Sequence, residues 1–323
     1  MQKSLRSLLR LLVSAALLGF ILPGIPFDQL ASILRETDPW PILAALALTP
    51  CMIWLTATQT RVLTDLQGLT LTTGQIFAVT FATAFHGLML PGALVGGAIR
   101  WYKFSEQDNK PAQALAAIAF GRLLNTLVAA AIGLACWTLD DLARRSPLNG
   151  ILLGVILAGL LVSYALFFRR RTSEAMASFL ERRAIIPAFA RAKQAKLLRA
   201  AADFQALPVP VVLKMTVVFA LYHLLGIVAF WLLARALSME IAFSAVGWTR
   251  TYVLLIMALP ISFLGLGVRE GALILMLQAY GISAPAAVAY SFLILARTLF
   301  TALIGGAIEL VQFLRPAKVM VRP

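Results

Sequence analysis

The stretch PISFLGLGVREGALILM, residues 260–276, is apolar enough to be membrane, yet a proline and two glycines break it before Arg269 and Glu270 stand side by side. A charge at membrane depth is costly, about 2.5–3.5 kcal/mol for a central arginine on insertion scales, so the pair demands a reason. Outward from it the chain stays apolar: 61% of its 323 residues are hydrophobic and only 13% charged, which excludes an ordinary soluble globule. Apolar runs near the roughly 20 residues a helical span needs recur along the whole length. The ten-residue alternating segments of a membrane β-barrel do not. The fold class expected is an all-α polytopic membrane protein forming a single transmembrane domain over 1–323.

The net charge of +14 sits at span ends and in one loop, so topology accounts for it and no nucleic-acid partner is expected. Cys51 and Cys136 fall in apolar segments and read as two buried small hydrophobes, with no disulfide framework or zinc site. Residues 1–22 combine a basic start with an apolar run but lack a cleavage motif, and read as an uncleaved first span.

Apolar segments cover about 8–22, 41–58, 75–90, 112–137, 148–168, 211–235, 246–264, 268–280 and 286–314. The N-terminus carries Lys3, Arg6 and Arg10, the C-terminus carries Arg315, Lys318 and Arg322, and the basic loop 169–209 divides the chain. All three regions are expected in the cytoplasm. Nine full spans would separate the termini, so 75–100 is read as a broken re-entrant hairpin and 246–280 as a second one. The expectation is six full spans plus two hairpins, with eight spans as the alternative. Loops 24–39 and 139–146 then face out, and 66–74 and 102–110 face in. Residues 185–207, with Phe189, Leu197, Ala201 and Phe204 on one side, read equally as an interfacial amphipathic helix or a solvated basic loop.

PISFLGLGVR (260–269) has an earlier counterpart in PGALVGGAIR (91–100): proline first, two glycines near the middle, arginine last. The hairpin glycines are Gly92, Gly96 and Gly97 in one, Gly265 and Gly267 in the other. A long apolar helix with its own arginine, Arg122 or Arg297, follows each motif. Charge counting starts unit 41–137 outside and unit 211–314 inside, the pattern of an inverted-topology repeat whose broken helices meet around a midplane site.

The expected substrate-binding set is Arg100, Arg122, Asn125, Arg269, Glu270 and Arg297. Arginine stays charged and grips phosphate oxygens bidentately. Four arginines in one cavity would suit a lipid phosphate, with Glu270 neutralising one of them while the cavity is empty. Arg235 and Arg250 are expected to snorkel to the outer interface. His86 and His223 are expected in packing roles, and Glu309 to pair with a nearby basic residue. Asp140–Asp141 reads as a solvated loop. No catalytic nucleophile–base pair, metal motif or cofactor motif stands out.

At PGALVGGAIRWYKF, AIAFGRLLNTLVAAAIGL and PISFLGLGVREGALILM the chain resembles the lysylphosphatidylglycerol synthase transmembrane region, or flippase-like, family. The resemblance implies a multi-pass protein of a bacterial or archaeal inner membrane, both termini cytoplasmic, that handles lipids. Its bifunctional members are associated with moving aminoacylated phosphatidylglycerol, made by a soluble C-terminal synthase domain. This sequence ends at Pro323 soon after the last apolar segment, so that domain is not expected and the cargo stays open. The function expected is a lipid transporter of flippase or scramblase type rather than an enzyme. Its partners would be membrane lipids with an anionic, aminoacylated or lipid-linked headgroup, and a separate lipid-synthesising enzyme. A lipid-phosphate transferase with Glu270 as base, and a non-catalytic partner in a lipid pathway, are the alternatives.

Overall fold

The computed structural model describes residues 18–89, 95–167, 196–258 and 265–314, with positions 12, 15, 16, 172, 175, 178 and 262 beside them. Among these residues the chain is helical and has no strand. The principal helices are α1 (Phe27–Arg35), α2 (Pro39–Leu66), α3 (Thr73–Met89), α4 (Val95–Glu106), α5 (Pro111–Thr138), α6 (Pro147–Phe167), α7 (Val209–Ala236), α8 (Phe243–Ala258), α9 (Val268–Leu277) and α10 (Ala284–Leu314). Proline sets several starts: Pro39 and Pro111 open α2 and α5, where a missing N–H costs nothing. Asp38 adds a side-chain cap, accepting from the Trp40 N–H at 3.0 Å.

Five helices, α2, α5, α6, α7 and α10, are long and apolar enough to cross a membrane. They coincide with the segments expected at 41–58, 112–137, 148–168, 211–235 and 286–314. Most of segment 8–22, the basic loop up to 195 and the basic C-terminal tail lie outside the described residues. By contrast α4 and α9 have 12 and 10 residues. At about 1.5 Å per residue they reach roughly 15–18 Å, short of a hydrocarbon core about 30 Å thick.

A long–short–short–long series occurs twice, as α2–α3–α4–α5 and as α7–α8–α9–α10. The packing is reciprocal: α2 lies against α7, α3 of the first series against α10 of the second, and α8 of the second against α5 of the first. Small residues let these crossings close. A Cβ at Gly305 would fall 2.1 Å from the Phe81 carbonyl oxygen, and one at Gly247 would fall 2.4 Å from the Cys136 sulfur.

The connections sort to the two ends of the bundle. At one end Thr70 binds Asp108 through its N–H (2.7 Å) and hydroxyl (2.9 Å), and Lys110 donates to the Gly68 carbonyl. The start of α3 and the end of α4 therefore meet at one level. At the other end the Asp38 N–H donates to the Ala236 carbonyl at 3.0 Å, and Ser244 donates to Asp140 at 3.4 Å. There Trp248, on the first turns of α8, donates to the Tyr280 hydroxyl just beyond α9. Loops that charge counting gives to one side lie together.

Two expectations change. Residues 196–206 are helical and dock on the bundle: Ala200, Ala201 and Phe204 are buried with Met215 and Phe219. The Phe204 ring stacks on Phe120 at 4.5 Å, and Gln67 donates to the Ala200 carbonyl. The described part of the segment thus covers protein rather than lipid; Phe189 lies outside the described residues. Cys51 is exposed on α2, whereas Cys136 is buried, because only the latter faces another helix.

Candidate functional site

A cavity of about 450 Å³ opens between α2, α3, α4 and α5, with Phe219 of α7 closing one wall. Arg100, Arg122 and Asn125 line it, as do Gly96 and Gly97. Gly92 lies outside the described residues. A Cβ at Gly96 would meet the Thr83 carbonyl oxygen at 3.1 Å, so a bare backbone lets α4 lie close against α3 beside the cavity. This close approach sets Arg100 against α3, where its Nη2 donates to the Thr80 hydroxyl at 3.1 Å.

That hydroxyl is the sole hydrogen-bond partner of the Arg100 guanidinium among the described residues, and the Arg122 guanidinium has none there. Among the described residues no carboxylate lines the cavity, and neither arginine forms an ion pair. The two cations are also close enough to repel. Arg100 is half-buried and Arg122 is exposed on α5, so both guanidiniums are free to meet an anion in the cavity.

Arg269 and Glu270 are arranged the other way. Both are nearly fully buried, at 1% and 2% exposure, and they form a closed network. Arg269 Nη2 donates to Glu270 Oε1 at 2.7 Å, and its Nε donates to Ser291 at 2.6 Å. Ser291 donates in turn to Glu270 Oε1, while Glu270 Oε2 accepts the Gly267 N–H at 2.6 Å. This last bond caps α9 and requires the chain to turn sharply just before it. Gly265 and Gly267 supply that turn with φ of +76° and +81°, values unfavourable for a residue with a side chain. With both carboxylate oxygens engaged, the pair is neutral.

Arg297 is half-buried and held from α2: its Nε donates to Thr49 at 3.0 Å and its Nη2 to the Met52 sulfur, with the Phe230 ring 6.0 Å away. The four arginines therefore do not share one cavity. Arg100 and Arg122 line it with Asn125; Arg269, Glu270 and Arg297 are not among its lining residues.

Arg250 also departs from expectation. It does not snorkel outward but is buried on α8, with Nη1 3.3 Å from His223 Nδ1. His223 Nε2 lies 3.0 and 3.1 Å from the backbone and side-chain oxygens of Asn125, so a polar chain runs from Arg250 to the cavity wall. Gly226 makes room for it, since a Cβ there would fall 2.2 Å from Arg250 Nη2. Half-buried Tyr222 lies within electrostatic reach of Arg100, Arg250 and Arg297. Glu309 pairs with Lys103 and lies 3.7 Å from His86, in line with its expected pairing. Asp140 caps a helical turn through the Ala143 N–H. No cluster of metal-ligating side chains occurs among the described residues.

Threonines are the cavity residues that the sequence reading missed. Thr56, Thr60, Thr80 and Thr83 line the same cavity with their hydroxyls, Thr80 against Arg100. The signal was present in TATQT (56–60), where polar residues at i and i+4 mark one face of an otherwise apolar span.

Comparison with the curated proteins gives no match. The lysylphosphatidylglycerol synthase TM region model, in contrast, matches residues 7–306, nearly the whole chain and both arginine motifs. The chain is accordingly a helical membrane protein of a family linked to lipid handling: it belongs to the lysylphosphatidylglycerol synthase transmembrane-region family.

Proposed function

We propose that the chain is a lipid transporter of flippase or scramblase type that draws a phosphate-bearing headgroup into the cavity beside the first broken hairpin. The carrying observation is the pair Arg100 and Arg122, two cations on one cavity that have, among the described residues, a single hydroxyl partner and no carboxylate. A guanidinium at membrane depth costs about 2.5–3.5 kcal/mol on insertion scales, and a phosphate held in its fork offsets that cost. Gly96 and Gly97 keep the wall beside them free of side chains, and Asn125 adds an amide.

The topology that suits this role has six full spans and two re-entrant hairpins, with 41–137 and 211–314 as inverted repeats. Both termini and the basic loop 169–209 then face the cytoplasm of a bacterial or archaeal inner membrane. Support comes from the reciprocal packing of the two helix series and from the shared level at which each short pair begins and ends. A cavity bounded by the arms of a hairpin lets a headgroup cross while its acyl chains stay in lipid.

The test is headgroup translocation in proteoliposomes, with folded protein confirmed by size exclusion. Arg100→Gln and Arg122→Gln are each expected to slow transport by about tenfold or more, the loss of roughly one charge-assisted contact. Unchanged rates in both variants would remove the cavity from the transport path.

A further inference from the structure

The four threonines of the cavity wall carry information about what lies beyond the phosphate. Each hydroxyl donates its one proton to a carbonyl of its own helix. Thr56 donates to Ile53 (2.9 Å), Thr60 to Thr56 (2.8 Å), Thr80 to Ile76 (2.8 Å) and Thr83 to Thr80 (2.8 Å). A hydroxyl has one proton and two lone pairs, so what it still offers the cavity is acceptor capacity. Among the described residues only Thr80 has part of that capacity taken, by Arg100. The cavity thus has two separate chemistries: guanidinium donors on α4 and α5, and a wall of acceptor oxygens on α2 and α3.

The absence of a carboxylate among the described lining residues decides which donor-bearing groups fit. An ammonium could donate to the threonines, but it would stand near two guanidiniums with no anion to offset it, and like charges at such range are unfavourable. A hydroxyl donates without adding charge. We infer, resting on the reading of the cavity as a headgroup site, that the ligand is a net-anionic phosphate ester with a hydroxyl-bearing polyol. A choline headgroup, which has no donors, and a lysylated, net-cationic headgroup are both disfavoured. The same phosphate–polyol chemistry exists in lipids and in soluble sugar or glycerol phosphates.

The purified full chain can be tested by competitive lipid binding in native mass spectrometry. Phosphatidylglycerol is compared with phosphatidylmethanol, which has the same charge and no hydroxyl, and with phosphatidylcholine and lysyl-phosphatidylglycerol. Phosphatidylglycerol should be retained over phosphatidylmethanol by about tenfold, the effect of one or two neutral hydrogen bonds. The double variant Thr56→Val, Thr83→Val leaves Arg100's partner Thr80 in place and should abolish that preference while both anionic lipids still bind. Equal retention of the two anionic lipids by the unmodified chain, or a preference for the lysylated lipid, overturns the inference. Displacement by glycerol 3-phosphate would identify a soluble carrier of the same chemistry, and its failure would assign the site to the lipid. Undiminished anionic-lipid binding in Arg100→Gln, Arg122→Gln would break the headgroup site itself, whereas unaltered selectivity in the threonine variant breaks only the polyol assignment.

Discussion

PGALVGGAIRW (91–101) and PISFLGLGVRE (260–270) share a proline, paired glycines and an arginine, and they differ in the residue next to that arginine, Trp101 in one and Glu270 in the other. Glu270 turns the second arginine inward into a neutral, fully hydrogen-bonded knot with Ser291 and the Gly267 N–H. Trp101 cannot do this; its indole N–H goes to the Pro111 carbonyl, and Arg100 keeps its charge on the cavity. The later arginines differ in the same sense. Helices α2 and α7 each have 28 residues, and matching their first residues sets Thr49 opposite Phe219 and Met52 opposite Tyr222. Arg297 meets Thr49 and Met52 and is satisfied, while Arg122 shares its cavity with Phe219 and has no partner among the described residues. One motif is thus closed into a neutral clasp in one copy and leaves its arginine on an open cavity in the other. The choice rests on one or two neighbouring side chains.

The contrast can be broken most sharply at the clasp. Glu270→Gln leaves Arg269 charged and buried, and is expected to cost about 3–5 kcal/mol, read as a large fall in the thermal midpoint of the purified protein. Arg122→Gln, which removes an unpartnered cation, should leave that midpoint unchanged or raise it while lowering lipid binding. A large loss of stability there would mean that Arg122 is structural. Ser291→Ala should have an intermediate effect, about 1.5–3 kcal/mol, since it removes hydrogen bonds to both charged groups. Trp101→Glu would give the first motif the second's sequence logic. Anionic-lipid affinity should drop by about tenfold as the new carboxylate pairs with Arg100, and unaltered affinity would show that the adjacent acid is not what closes the second site. The smallest effect is expected for Phe219→Thr, which offers Arg122 the kind of partner Arg297 has. A decrease in anionic-lipid affinity of about twofold to fivefold, roughly one exposed neutral contact, would sharpen the comparison.

Much of this was legible in the chain because the bilayer is a demanding solvent. Backbone groups in hydrocarbon must bond within their own segment, so an apolar run of sufficient length is a helix almost regardless of its neighbours. The five long apolar helices, the two short broken pairs and the arginines that follow them could be read from hydropathy, glycine and charge. Charge counting also grouped the loops that the fold brings together at each end. It misplaced Arg250, since an arginine near a span end looks the same whether it reaches for water or for His223. The docking of 196–206 was missed because an amphipathic face does not say whether lipid or protein will cover it.

The sequence alone, then, determined the helical membrane class, the breaks and the supply of cations, because each follows from local composition and the cost of burying polar groups. Tertiary structure decided which arginines have their hydrogen bonds satisfied. That depends on whether Ser291, Thr49 or Phe219 stands across from a guanidinium, and residues on separate helices acquire that relation only when the helices pack. The hydroxyl wall beside Arg100 and Arg122 is decided in the same way. Thr56 and Thr60 show as one face of α2, but they line a common cavity with Arg100 and Arg122 only when α2, α4 and α5 pack.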